Sequence, residues 1–513
     1  AGLYGFHLLD SGDDPRKLML SFTLFERGAH ANRLRVQTDN FDQPFDINEG
    51  ARLDLGSTAK LRTLITYLEL VSALHERWGA LSARQLAAIG VDKRDAIGRW
   101  ALEYLRQTRD KSLTRMLDAA MLRTYSASPY EVFYTGGGLH RFENFEPEDN
   151  DRVLTVREGF KRSVNLVFVR LMRDVVSHVI AQMPDANAWP LERRAAASRQ
   201  GLLSRFADRE GRQYIARFYR KYQGVAPPQA EEARAQGKRA SAAVRHPLEI
   251  WLIGFLRQHP GATLAEAIAA SSTERQNAYV WLFASRNKNA QDERIRNQLE
   301  LEAFAEIQRA WRKLGYPFDS LTPSYATALG SSGDRPAALA ELMGIIANRG
   351  MRMPVVRIES LVFARNTPYE TRLDHQPADA ERVLPAEVTD VVRKSLLDVV
   401  NGGTAVRLRN ALARSDGTAV EVGGKTGTGD HRFEVHGRGG QVLSSRVVSR
   451  SATFVFLIGE RYFGTMMVYV PESDAAKYKF TSALPVQLLK TMLPTVVPRL
   501  ERSACAINDS AGG

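Results

Sequence analysis

Apolar positions recur along the chain in two periods. Leu61, Leu64, Ile65, Leu68 and Val71 keep the i, i+3, i+4 spacing of a helix with one buried face, predicting a helix from about Ser57 to Ala73. Residues 74–125 continue in helical patches such as Trp100-Ala101-Leu102-Glu103-Tyr104-Leu105. β-prone apolar runs at Leu3–Leu9 and Leu18–Glu26 flank Ser11-Gly12-Asp13-Asp14-Pro15 and predict a hairpin, whereas residues 27–54 read as polar and irregular. Three further strands are predicted: the run from Val420 into Lys425-Thr426-Gly427, then Ala452–Gly459 and Tyr462–Val470. Five strands suffice for an antiparallel sheet flanked by helices.

Residues 181–308 break this pattern. They are rich in Ala, Arg, Glu and Gln, with helix-period patches at Tyr214–Tyr219 and Ile250–Leu256, and read as a helical insertion. Pro227-Pro228 and Gln229–Ala243 read as a loop or weak helix. The aromatic clusters are expected to fill a core rather than hold a ligand. The domain division predicted is therefore 1–180 with 309–500 as one discontinuous domain, 181–308 as the insertion, and 501–513 as a flexible tail.

Composition narrows the picture. With 513 residues, 44% hydrophobic and 25% charged, the chain can bury a large core and divide into two or three lobes. No run of eighteen apolar residues suggests a membrane span. Ala1-Gly2-Leu3-Tyr4-Gly5-Phe6 lacks a signal peptide's basic head and starts as if cut before a strand, as a fragment of a longer protein would. The single cysteine, Cys505, excludes an internal disulfide framework and has no neighbour to activate it. A net charge of +12 invites a nucleic-acid reading. The arginines alternate with Glu and Asp instead of forming one basic tract, so solvated helix faces are the better account, and no nucleic-acid partner is expected. Attraction to anionic envelope polymers or lipid surfaces is compatible with that charge.

Three short motifs carry chemistry. Ser57-Thr58-Ala59-Lys60 opens the first long helix, and the i, i+3 spacing lets the Lys60 amine reach the Ser57 hydroxyl. A neutral, desolvated lysine can take the proton of a serine nucleophile, and the free amides of a helix start can receive an oxyanion. Ser163-Val164-Asn165 precedes an apolar helix-like run from Leu166 to Leu171. Lys425-Thr426-Gly427-Thr428 ends a strand bracketed by glycines, which let a ligand backbone lie against it. The triple glycine Gly136–Gly138 lacks the Lys-Ser/Thr of a phosphate loop and reads as a turn. His431 and His436 lack ligand-spaced partners, so no metal and no cofactor are predicted.

Each motif alone is common, but the order S-x-x-K, S-x-N, K-T-G is specific. With it the chain resembles the transpeptidase domain of a penicillin-binding protein, in the penicillin-binding protein/serine β-lactamase superfamily. The resemblance covers about 1–180 and 309–500. It includes Ala328-Leu329-Gly330, the helix around Ala338–Met343, and Gly402-Gly403-Thr404-Ala405, a pattern closer to class A members. It implies an α/β (α+β) fold: a five-stranded antiparallel sheet flanked by helices, plus an all-helical lobe.

The implied activity is a D,D-transpeptidase that cross-links peptidoglycan stem peptides through a serine acyl-enzyme and is inhibited by β-lactams. By resemblance, Ser57 is the nucleophile and Lys60 its base. Ser163 relays a proton to the leaving D-alanine, and Asn165 holds the donor amide and positions Lys60. Lys425 lowers the Lys60 pKa and attracts the substrate carboxylate. Thr426, Gly427 and Thr428 form the substrate-binding strand, and the amides of Ser57 and Thr428 form the oxyanion hole. Ala59 stands where many relatives carry an aromatic, and Gly429 replaces a second hydroxyl residue, which weakens a second carboxylate contact.

The alternatives are a D,D-carboxypeptidase or serine β-lactamase-type hydrolase on the same fold, or a non-catalytic β-lactam-binding sensor or scaffold. No class A-like S-D-N motif and no convincing E-x-x-L-N helix is found, which lowers the β-lactamase reading. The expected partners are stem peptides and β-lactams, with a protein partner at 181–308. The implied location is the periplasm, or the outer face of a bacterial cytoplasmic membrane, as part of a longer membrane-anchored protein. Asp430–Ser451 is expected to be a long basic connection that shapes acceptor access or is mobile.

Overall fold

Apolar runs from both ends of the chain pair into one sheet. The computed structural model describes residues 2–183, 196–222, 246–284, 288–375, 378–413, 417–436 and 442–510, without the side chains of 196–198, 431–436, 442, 443, 445, 472, 473 and 497–510. The strands of its six-stranded sheet are β1 (Met19–Arg27), β2 (Asn32–Asp39), β3 (Val355–Val356), β4 (Val422–His436), β5 (Val442–Ile458) and β6 (Tyr462–Val470). Their spatial order is β4-β5-β6-β1-β2-β3. The first four of its five pairings are antiparallel, and the fifth adds the two residues of β3 parallel to β2.

The central strand β6 is buried on both faces because it alternates between two helical layers. The helices of this unit that bear on the sheet and the site are α1 (Ala59–Trp78), α2 (Val156–Lys161), α3 (Asn165–Gln182), α4 (Pro336–Ala347), α5 (Ala386–Gly402) and α6 (Ala483–Ser510). Val468 and Val470 face a core with Leu484 of α6 and Phe480. Phe463, of the other parity, lies against Gly344 of α4, where an added Cβ would stand 2.8 Å from the ring. A strand covered twice has no polar face, so β6 reads as a continuous apolar run.

The five-stranded antiparallel core of the sheet is as expected, but one strand differs. Leu3–Leu9 is not a strand: Gly2, Gly5 and His7 adopt positive φ of 68°, 137° and 65°, which breaks an extended run. Leu8 and Leu9 instead pack into the core beside Phe480 and Leu484. The partner of β1 is β2, inside the segment read as irregular. Its Arg33, Arg35 and Gln37 alternate with Leu34 and Val36, Arg35 being exposed and the other two only partly buried, so polarity masked it. Asp430–Ser451 is likewise no loop. It continues β4 and β5 as a paired arm from Asp430↔Arg450 to His436↔Val442, and residues 437–441 lie outside the described ones. The backbone of the expected tail from 501 continues α6 to Ser510, while 511–513 lie outside the description. Leu484, Leu489 and Leu493 anchor that helix at helical spacing.

By backbone proximity the chain forms two compact units, Ala1–Val179 with Ala303–Gly513, and Ile180–Glu302. The second is all helical among its described residues. Ile215 and Phe218 of the helix Ala196–Tyr222 and Leu252 of the helix Pro247–Gln258 are buried in its core with Leu282 and Ile295. The two aromatic patches therefore supply packing. Residues 227–243 lie outside the described ones.

In the first unit α1 is a buried axle. Leu61, Leu64, Ile65, Leu68 and Val71 are all 0% exposed. It runs on to Trp78, five residues beyond the expected end. Arg62, also fully buried, donates to Asp334 Oδ2 at 2.7 Å and to Leu314 O at 3.0 Å. Removing one partner strands a buried charge. Asp334→Ala is expected to lower the unfolding free energy of this unit by about 3–5 kcal/mol in urea titrations, and pairing it with Arg62→Met to recover a large share. A loss under about 1 kcal/mol would show that the pair is solvated.

Candidate active site

The site begins with three glycines that let backbone touch backbone. Ser57 lies in a 3₁₀ turn, Gly56–Thr58, just before α1, rather than within the helix itself. Gly56 has a φ of 55°, and a Cβ there would sit 2.1 Å from Thr428 O. A Cβ at Gly427 would sit 2.1 Å from Leu55 O, and one at Gly429 2.1 Å from Asp54 O. No side chain fits at these crossings, so the serine turn lies directly along β4. Asp54 caps the turn by accepting from the Gly56 amide at 2.9 Å, and burial raises its pKa to about 6.

Ser163 is held between α2 and α3. Its φ of 60° is the left-handed region, unusual for a side chain larger than glycine. Its amide donates to Phe160 O at 3.1 Å and that of Val164 to Gly159 O at 2.9 Å, closing α2. This turn presents both the carbonyl and the hydroxyl of Ser163 to Lys60. Asn165, the first residue of α3, is fixed from its other end by donating to Glu143 O at 2.8 Å.

The motif residues meet at two amines. Lys60 Nζ lies 2.6 Å from Ser57 Oγ, 2.7 Å from Asn165 Oδ1, 2.8 Å from Ser163 O and 3.3 Å from Ser163 Oγ. Lys425 Nζ lies 2.8 Å from Ser163 Oγ and 2.8 Å from Thr426 O, with the Phe160 ring 5.6 Å away. Both lysines are 0% exposed. Burial pushes the Lys60 amine well below its ordinary value, and the Lys425 charge pushes it further. Burial alone lowers Lys425 to about 7. A neutral Lys60 has a lone pair for the Ser57 proton, and the Ser163 hydroxyl bridges the two amines.

Beside this cluster opens a cleft of about 310 Å³, lined by Thr426, Gly427 and Thr428 of β4, by Asn144, Ser163 and Asn165, and by Ser57. Thr428 Oγ1 accepts from the Ser482 amide at 2.9 Å, which leaves its own proton for a ligand. Thr426 Oγ1 shares a hydrogen bond with Thr404 Oγ1 at 2.5 Å.

Several cleft residues were not singled out from the sequence. Asn144 accepts from the Leu166 amide at 3.0 Å and so fixes the start of α3. Phe6, His7, Phe145 and Arg407 form the rim. Thr404 stood in a segment that resembled the family, as did Asn144 and Phe145 in Phe142–Pro147, similar to the family's approach to S-x-N, all without an assigned role, and Phe6, His7 and Arg407 carry no local pattern. Among the described residues no group of three or more His, Cys, Asp or Glu could hold a metal ion. The side chains of His431 and His436 lie outside that description.

No protein-family model and no curated protein matches the sequence. Solved structures do. The penicillin-binding protein PonA1 from Mycobacterium tuberculosis aligns at 14% identity and TM-score 0.44, covering 95% of this chain and 78% of that one. Penicillin-binding protein 3 from the same organism, complexed with aztreonam, aligns at 12% and 0.42, with 94% and 73% covered. Penicillin-binding protein 1A from Haemophilus influenzae aligns at 12% and 0.43, covering 93% of this chain and 48% of that one. Over most of its length the chain is thus similar in structure to penicillin-binding proteins.

Proposed function

We propose that the chain is a serine D,D-transpeptidase of the penicillin-binding kind, which acts on peptidoglycan stem peptides outside the cytoplasmic membrane. The observation that carries this reading is the unbroken hydrogen-bonded path Ser57–Lys60–Ser163–Lys425 beside an open cleft. Ser57 Oγ attacks the carbonyl between two D-alanines while its proton passes to neutral Lys60. The negative oxygen of the tetrahedral intermediate rests on the amides of Ser57 and Thr428, each such donor being worth roughly 3–4 kcal/mol. The C–N bond then breaks, and the departing amine takes a proton relayed through the Ser163 hydroxyl. An amine of a second stem, approaching the resulting ester, restores the serine by the reverse proton path.

A hydrolase would use the same first half and differ in passing the acyl group to water. Incubation with fluorescent penicillin followed by intact mass separates the two. A Ser57 adduct that persists for hours is expected, with none on Ser57→Ala. Rapid loss with turnover would establish a hydrolase instead, and the absence of any adduct would reject acyl transfer. Lys60→Ala is expected to slow acylation by at least ~10²-fold, the scale of general-base loss.

The pH profile follows from the two amines. Lys60 must be neutral to act, so the acylation rate should climb as pH rises through its depressed pKa. Lys425 must keep its proton for the leaving nitrogen, so the rate should fall above about 7. A bell-shaped acylation profile is therefore expected, and a flat one between pH ~5 and ~10 would contradict the assignment.

A further inference from the structure

A donor with a free carboxylate needs a cation that it can touch. Neither lysine of the site offers one: both are 0% exposed, their amines are engaged, and neither lines the cleft. Two guanidinium groups do line it, Arg162 and Arg407. Arg162 is already neutralised, its Nη2 lying 2.6 Å from Oδ1 of the buried Asp149. Arg407 is not. Its Nη2 donates to Phe6 O at 3.3 Å, and among the described residues no carboxylate, the cleft residue Glu146 included, lies within ion-pair distance of it.

The position of Arg407 fits a ligand held on β4. It sits in a 3₁₀ turn, Val406–Leu408, whose neighbours Ala405 and Leu408 are 0% and 1% exposed and anchor the backbone. Three residues earlier Thr404 is hydrogen-bonded to Thr426 on the strand itself. The charge and the two strand hydroxyls, Thr426 and Thr428, therefore line the same cleft. A carboxylate takes charge-assisted hydrogen bonds from such an array, and a planar guanidinium can bind both of its oxygens.

We infer that Arg407 is the specificity-determining residue for donors ending in a free carboxylate, which it holds jointly with Thr426 and Thr428. Lys425 keeps its charge for Lys60 and for the proton relay. This rests on the acyl-transfer reading and refines which residue recognises the donor.

The test measures second-order acylation rate constants of Ser57 with benzylpenicillin and with its methyl ester, which lacks the negative charge. The readout is the acid-to-ester ratio. Arg407→Gln is expected to lower that ratio roughly 10- to 100-fold, the span of a charge-assisted hydrogen bond, and Arg407→Lys to retain part of it. Arg409→Gln, outside the cleft and bonded to Asn401 O at 3.2 Å, serves as the control and should leave the ratio unchanged. An unaltered ratio in Arg407→Gln, or an equal loss with acid and ester through a disturbed Phe6 contact, overturns the inference while acyl transfer stands. No Ser57 adduct in the wild type with either compound overturns both.

Discussion

Two fully buried amines that share one hydroxyl cannot both carry full charge at neutral pH. Desolvation already disfavours each ammonium, and each raises the cost of charging the other. At Lys60 and Lys425 the burden is unequal. Lys60 loses its proton first, under burial and the charge still on Lys425, and Lys425 then titrates beside a neutral amine under burial alone. The asymmetry sorts one proton donor and one proton acceptor onto the two sides of Ser163. Everything around the site serves that separation. The left-handed turn at Ser163 aims its carbonyl at Lys60, and Asn165 and Thr426 O occupy the remaining donor positions of the two amines.

Such a pair can exist only if three distant segments stay in register, and the means is packing without side chains. Gly56, Gly427 and Gly429 close the serine turn onto β4 at van der Waals range. The buried Arg62–Asp334 pair then ties the first turns of α1 to the segment leading into α4. Ser57 is thus held by a sheet strand on one side and by the buried helix that follows it on the other.

The sequence carried the chemistry more legibly than the architecture. Ser57–Lys60 is a local spacing, Ser163-Val164-Asn165 a local turn, and Lys425-Thr426-Gly427 a local strand end. Each announces itself within four residues. The strand β2 did not, because its polar residues alternate with only Leu34 and Val36, and the arm beyond Asp430 did not, because Gly, Ser, Arg and His recur through its sequence and read as loop. Leu3–Leu9 misled in the opposite way: its apolar residues are core, yet its backbone turns at Gly5 and His7. The cleft rim was invisible for a different reason. Phe6, Phe145 and Arg407 are far apart in the chain, and only tertiary structure makes them neighbours.

Main-chain crossings at Gly56, Gly427 and Gly429 have a further meaning. A contact made of amides and carbonyls is indifferent to which side chains surround it, so it constrains only the residues that must have none. Substitution elsewhere in the sheet and helices need only preserve volume and polarity to leave Ser57 where it is. A chain built this way can drift widely in sequence while a handful of glycines, hydroxyls and lysines keeps the serine turn against its strand.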